Sequence, residues 1–267
     1  MADLSERTTE AAASRKTIAF EQPLNERMRM FLRVEFLHRQ VMFHAADRGH
    51  FAARAAVAGL LEILSITGRG DVRGDVLKEL DRYIEQLGHY QRTPGVDSGR
   101  LVALLKELDA LRTELSSAGK QFMAPLRESE FLNSIRHRSA IPGGTCMFDL
   151  PEYGYWLHLP HEARMAQLNA WIGQLRPLCD AIGQILWLTR EASVPKEYVA
   201  NSGFYQYNLA KTEHYDLIRV LMHRDSGLFP EISAGQHRFT VRFSEWQGVD
   251  QRGKQSVADV PFLLALC

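Results

Sequence analysis

The sequence predicts an α+β protein, with a mainly helical N-terminal domain followed by a C-terminal antiparallel β-domain. Two observations predict it. Apolar residues recur at helical spacing from Leu24 to about Ala192. After Val194, short runs punctuated by Gly, Ser, Pro and Asn take over, with a clean two-residue alternation at Arg238–Phe243. Helices and strands segregated along the chain, rather than alternating, argue against a parallel α/β sheet. The chain has 267 residues, 45% hydrophobic and 24% charged, enough for one large domain or two small ones.

Residues 1–17 are rich in Ser, Thr, Ala, Glu and Arg, with Leu4 the one large apolar residue after Met1. Such a segment cannot bury enough surface to offset its ordering entropy, so a flexible arm is expected there. The helical domain is expected over 18–192 and the β-domain over 193–267. Ile18-Ala19-Phe20 has the composition of an edge strand, and in that case 18–22 belongs to the β-domain.

Pro23 and Asn25 open the first helix, whose apolar face starts with Leu24, Met28, Phe31 and Leu32. Phe51–Thr67 has few breakers before Gly68 and predicts a second. Asp71–Gln91 carries Val76-Leu77, Leu80, Tyr83-Ile84 and Leu87, an amphipathic stripe. After the Pro94-Gly95 turn, Asp97 or Ser98 caps a helix with Leu101, Leu104-Leu105, Leu108 and Leu111 inward. The spacing of these two predicts an antiparallel hairpin. A further helix spans about Leu126–Ser139 and stops at Pro142-Gly143-Gly144. The last runs from Pro160 towards Thr189, with Trp171, Ile172, Leu175 and Leu178 inward. Strands are expected at Gly203–Leu209, Asp216–Met222, Arg238–Phe243 and Val260–Cys267, although Leu217 and Val220 do not alternate cleanly.

Charge narrows the function classes. Lys plus Arg and Asp plus Glu are both 32, so the formal net charge is zero, which argues against a bulk nucleic-acid binder. Recognition by charge must then come from local segregation. On Arg238–Phe243, Phe239, Val241 and Phe243 face one way, and Arg238 and Arg242 share the other face about 13 Å apart. Arg29 and Arg33, four apart on the first helix, also share a face. Like charges so placed cost roughly 0.2–0.5 kcal/mol. Arg136 and Arg138 end the helix before Pro142, where cations complement the helix dipole. Each cluster taken singly reads as a solvated face. Together they suggest docking of an acidic surface, since Glu79, Asp81, Glu85, Glu107 and Asp109 gather elsewhere.

Catalytic patterns are weak, and a non-enzymatic protein without metal or cofactor is expected. His158 and His161 flank Leu159-Pro160 with no Cys or carboxylate to complete a metal site, so a helix-start role is preferred. Gly68–Gly74 misses the dinucleotide spacing, and Gly119-Lys120-Gln121 lacks a P-loop Ser or Thr. No Gly-x-Ser-x-Gly elbow occurs. Arg69-Gly70-Asp71 reads as a helix-start loop. Cys146, Cys179 and Cys267 are odd in number and far apart, which fits a reducing compartment. With no leader-length apolar stretch in 1–17 and no run of 18 apolar residues, a cytoplasmic protein without direct membrane insertion is expected.

Several longer blocks point further. They are Phe20-Glu21-Gln22-Pro23-Leu24-Asn25-Glu26-Arg27-Met28-Arg29, Leu32–Leu37, Leu77–Arg82 and Pro94–Asp97, followed by Ile141-Pro142-Gly143-Gly144-Thr145-Cys146-Met147-Phe148-Asp149-Leu150-Pro151, Trp156–Pro160, Asn201–Gln206 and Arg238–Phe243. These blocks resemble the ZapD family, the Z-ring-associated proteins of bacterial cell division, in a similarity that covers about Ile18 to Cys267. The resemblance implies a homodimer with a helical domain and a β-domain. It also implies binding to the C-terminal region of FtsZ, the tubulin-like GTPase of the division ring. Bundling of FtsZ filaments, reduced FtsZ GTPase activity, Z-ring assembly and a place at the mid-cell ring follow in turn. By motif position, the resemblance makes Arg29, Arg33, Arg238 and Arg242 the partner-binding residues, with Arg136 and Arg138 added. The alternative is a non-catalytic binding module for another anionic partner.

Overall fold

Helices come first and antiparallel strands follow, so the fold is α+β. The structure, a computed structural model, describes residues 16–117, 119, 122–210, 214–235 and 237–267. The chain divides into two units, one of residues up to Arg29 with Leu188–Cys267, the other Met30–Trp187. The expected arm, 1–17, lies outside the described residues apart from Lys16 and Thr17, and Thr17 already opens a strand.

The first unit holds the strands: β1 (Thr17–Pro23), β2 (Lys196–Ala200), β3 (Phe204–Asn208), β4 (Leu217–His223), β5 (Leu228–Ala234), β6 (Arg238–Glu245), β7 (Lys254–Gln255) and β8 (Val260–Leu266). One sheet runs β1-β4-β8-β2 and the other β3-β6-β5, with β7 paired to the end of β6, and every pairing is antiparallel. β1 is thus an edge strand, in register from Thr17 opposite His223 to Pro23 opposite Leu217. The two sheets share a core of Ile218, Val220, Met222, Phe239, Val241, Phe243, Val260, Phe262 and Leu264. Each fully buried Phe or Val contributes about 1.5–3 kcal/mol by leaving water. β4 does not alternate because Leu217 and Ile218 are both fully buried.

Three strands escape the sequence pattern, the two-residue β7 among them. β2 begins with Lys196-Glu197, whose exposed charges hide its pairing with β8. β5 contains Pro230, which a strand tolerates on an edge. Pro261 obeys the same rule inside β8, because β4 pairs only with Leu263–Leu266 and leaves that stretch one neighbour, β2.

The second unit is helical. α1 (Glu26–Ala45) starts in the first unit and continues into this one, and α8 (His161–Glu191) starts in this unit and ends in the first. Between them lie α2 (His50–Thr67), α3 (Val72–His89), α4 (Ser98–Ser117), α5 (Ala124–Glu128), α6 (Glu130–Arg138) and α7 (Pro151–His158). α2 is apolar and long enough to cross a membrane by composition, yet half of it is buried, as in a core helix. α3 and α4 form an antiparallel hairpin. The Arg73 guanidinium at the start of α3 donates to the Leu115 and Ser116 carbonyls at the end of α4 and to the Gly119 carbonyl just beyond it. Leu101, Leu108 and Leu115 are the buried positions of α4, whereas Leu111 is only half-buried. Asp71 caps α3 by accepting from the Gly74 N–H at 2.9 Å, which accounts for the Arg69-Gly70-Asp71 loop. The helix expected over Leu126–Ser139 is in fact two, α5 and α6. The break is Ser129, whose hydroxyl accepts from the Leu132 N–H and starts α6 afresh.

Candidate partner-binding surface

β6 sits between β3 and β5, and its side chains alternate strictly over Arg238–Phe243. Phe239, Val241 and Phe243 are fully buried, while Arg238 and Arg242 are exposed and Thr240 half-exposed. Ring contacts fix the inner side: Phe243 lies 4.9 Å from Phe262 and Phe239 lies 5.4 Å from Tyr207, centroid to centroid. Burial pushes the Tyr205 hydroxyl up to about 12, with neighbouring Tyr198 and Tyr207 adding to the shift. The two guanidinium groups therefore project from a strand that packing holds in place.

Register names their neighbours. Arg242 is opposite Phe204 on β3 and Glu231 on β5, Thr240 opposite Gln206 and Ser233, and Arg238 opposite Asn208. Directly opposed residues share a face, so this exposed surface carries two cations, one carboxylate and the exposed ring of Phe204 among polar side chains. Among the described residues, neither Arg238 nor Arg242 makes an ion pair.

Arg29 and Arg33 lie on α1, whose Met28, Phe31, Val34, Leu37 and Val41 are buried. Arg29 is half-exposed and its Nε sits 3.3 Å from Glu26 Oε1. Arg33 is exposed, and among the described residues it makes no ion pair. The division between units falls between them, so Arg29 goes with the strands and Arg33 with the helices. Arg27, expected elsewhere on the surface, faces Asp216, which also accepts from Asn25 at 2.7 Å.

Arg136 and Arg138 are exposed in the last turn of α6. Arg138 is within 3.8 Å of Asp149. The loop between α6 and α7 is tightly built. A Cβ on Gly144 would lie 2.6 Å from the Arg138 carbonyl oxygen, so only glycine lets the turn close on the helix end. Arg54 then holds Thr145, donating to its carbonyl at 3.0 Å and to its hydroxyl, and stacks over Tyr153. Burial pushes the Tyr153 hydroxyl up to about 12, although the Arg54 charge opposes this. The Pro142-Gly143-Gly144-Thr145 block is thus a structural device that carries Arg136 and Arg138. His158 closes α7, its Nδ1 donating to the Gly154 carbonyl at 2.8 Å, and His161 opens α8. Among the described residues, no group of three His, Cys, Asp or Glu could hold a metal.

One charged cluster was not anticipated. Glu21 on β1 accepts from Arg190 through both oxygens at 2.8 Å and from Arg219 on β4 at 3.0 Å. All three side chains are largely buried. Burial alone would raise the Glu21 carboxyl, but the bonds and charges of Arg190 and Arg219 together hold it below its usual 4.5. Burial also pushes the nearby Cys267 thiol up to about 11. The available signal was charge inside apolar runs, Glu21 after Ile18-Ala19-Phe20 and Arg219 within Leu217–Met222.

Comparison with known proteins adds a family. A family model described as cell division protein, ZapD, matches residues 32–242. The Cell division protein ZapD of Janthinobacterium sp. (strain Marseille) is 38% identical over 250 residues, covering 94% of this chain and 99% of that protein. Proteins of the same name from Escherichia coli O17:K52:H18 (strain UMN026 / ExPEC) and Shigella dysenteriae serotype 1 (strain Sd197) are each 38% identical over 252 residues, covering 94% of this chain and 98% of theirs.

Proposed function

The chain belongs to the ZapD family of cell division proteins, and from that premise we propose that it binds FtsZ directly and crosslinks its filaments. The observation that carries this is the exposed pair Arg238 and Arg242, held on β6 with no ion pair among the described residues. Arg33 and Arg136 are exposed in the same manner and extend the basic character. Arg29 and Arg138 each lie near a carboxylate and contribute less. The target is the C-terminal region of FtsZ, whose carboxylates the planar arginine fork grips bidentately.

Crosslinking follows from symmetry. A homodimer presents the same basic surface twice and so holds two filaments. A polymer repeats its docking segment at every subunit, and modest single-site affinity becomes avidity. Bundled filaments turn over GTP more slowly, and the protein acts in the cytoplasm at the mid-cell ring, promoting Z-ring assembly. It carries no catalysis of its own.

Co-sedimentation with FtsZ and GTP tests the proposal. The wild type enters the pellet with FtsZ, and Arg238→Glu/Arg242→Glu, checked for folding by circular dichroism, stays largely in the supernatant. A wild type that never pellets with FtsZ defeats the function. A folded variant that pellets as well as the wild type defeats the assignment to β6.

A further inference from the structure

The β3-β6-β5 sheet has two edges, and they are not alike. On β5, the Trp246 N–H donates to the Gly227 carbonyl and the Gly235 N–H to the Arg238 carbonyl. That register turns Phe229, Glu231 and Ser233 toward β6 and leaves the backbone of Pro230 and Ile232 facing outward. Pro230 has no N–H, so this edge is blunted against strand addition. On β3, the Phe243 N–H donates to the Gly203 carbonyl and the Leu209 N–H to the His237 carbonyl. Tyr205 and Tyr207 therefore bond to β6, while Gln206 and Asn208 turn both backbone groups outward. The sequence of β3, Phe204-Tyr205-Gln206-Tyr207-Asn208, has neither proline nor charge.

We infer that β3 is the edge along which an extended acidic peptide adds as a further strand, its carboxylates read by Arg238 and Arg242. The inference rests on the arginine face of the proposed function and adds how the partner is held. Main-chain hydrogen bonds to Gln206 and Asn208 supply affinity, and alternate side chains of the peptide supply specificity. One set of those side chains stands beside Phe204, Gln206 and Asn208, with the two arginines one strand further in. Arg238 and Arg242 are about 13 Å apart along β6, the spacing of two carboxylates at i and i+4 on an extended chain. A carboxylate at i+3 points to the opposite face. A second copy pairing through β3 would set two arginine faces side by side, so the charge favours an acidic peptide over self-pairing.

The test uses the full chain and fluorescence anisotropy with labelled synthetic peptides of Thr and Val carrying two Glu. The peptide with Glu at i and i+4 binds, and its isomer with Glu at i and i+3 binds about tenfold more weakly or worse. Backbone N-methylation of one of the two alternating sets of residues weakens binding about tenfold, and methylation of the other set does less. Gln206→Pro, whose lost N–H faces outward, does the same while both arginines remain. Strand addition is overturned if neither methylated form is weaker, if folded Gln206→Pro binds the peptide like the wild type, or if that variant dissociates a dimer in sedimentation velocity, which would assign the edge to a second copy. If the peptides behave as expected but the wild type never pellets with FtsZ, strand addition stands and the proposed partner falls.

Discussion

Glu21 was invisible as a site because its two arginine partners are 169 and 198 residues away in sequence. Replacing it by Gln removes the charge that Arg190 and Arg219 share and leaves two largely buried cations facing each other. Glu21→Gln is therefore expected to lose about 2–3 kcal/mol of stability, measured by urea unfolding at neutral pH. Its pH dependence has a defined sign. A carboxyl held below its usual 4.5 contributes stability above that value and loses it as pH falls through the lower folded value. Wild-type melting temperature should fall on acidification below about 4.5, and the Gln variant should fall less over the same range. At Arg242, register reveals what the linear sequence hides, since Glu231 stands directly opposite on β5.

At the scale of elements, legibility tracked how local the determining interaction was. β6 could be read from six residues because one face is core and the other solvent. The hairpin α3–α4 was readable from its leucine stripes, but the inward set is Leu101, Leu108 and Leu115 rather than one that stops at Leu111. β2 and β5 were missed because pairing partners, not composition, make them strands. The break at Ser129 was missed because a cap resembles any other polar residue inside a helical pattern. Ser129→Ala should cost about 1 kcal/mol by leaving the Leu132 N–H without its acceptor, seen as a lower urea midpoint. Phe243→Ala should cost about 3–5 kcal/mol, and it should loosen both arginines by unseating the strand that carries them. Near-ultraviolet circular dichroism and filament pelleting would then decline together.

The whole molecule is electrically neutral, so any docking it does depends on where its charges sit rather than on their sum. Exposed guanidinium groups act over about a Debye length, roughly 10 Å at 0.1 M salt and 3 Å at 1 M. Filament pelleting by the wild type should accordingly decline as sodium chloride rises, while urea stability, set by buried contacts, changes little. The candidate surface was half legible at this scale. Arg238, Arg242 and Arg33 are exposed as charge patterning suggested, and Glu26 beside Arg29 is a local i,i+3 neighbour, whereas Asp149 reaches Arg138 only through the fold of the loop between them.

Pro230 has a meaning for how copies of this protein avoid one another. An open edge on β3 and an unblunted one on β5 would be complementary ends, each copy offering a socket to the next. Such head-to-tail contacts close on themselves only by accident of angle, and otherwise grow without limit. Pro230→Val should restore an outward N–H and convert a dispersed protein into fibres detectable by thioflavin fluorescence and light scattering. One imino acid thus keeps this edge of the sheet from serving as a template for the next copy.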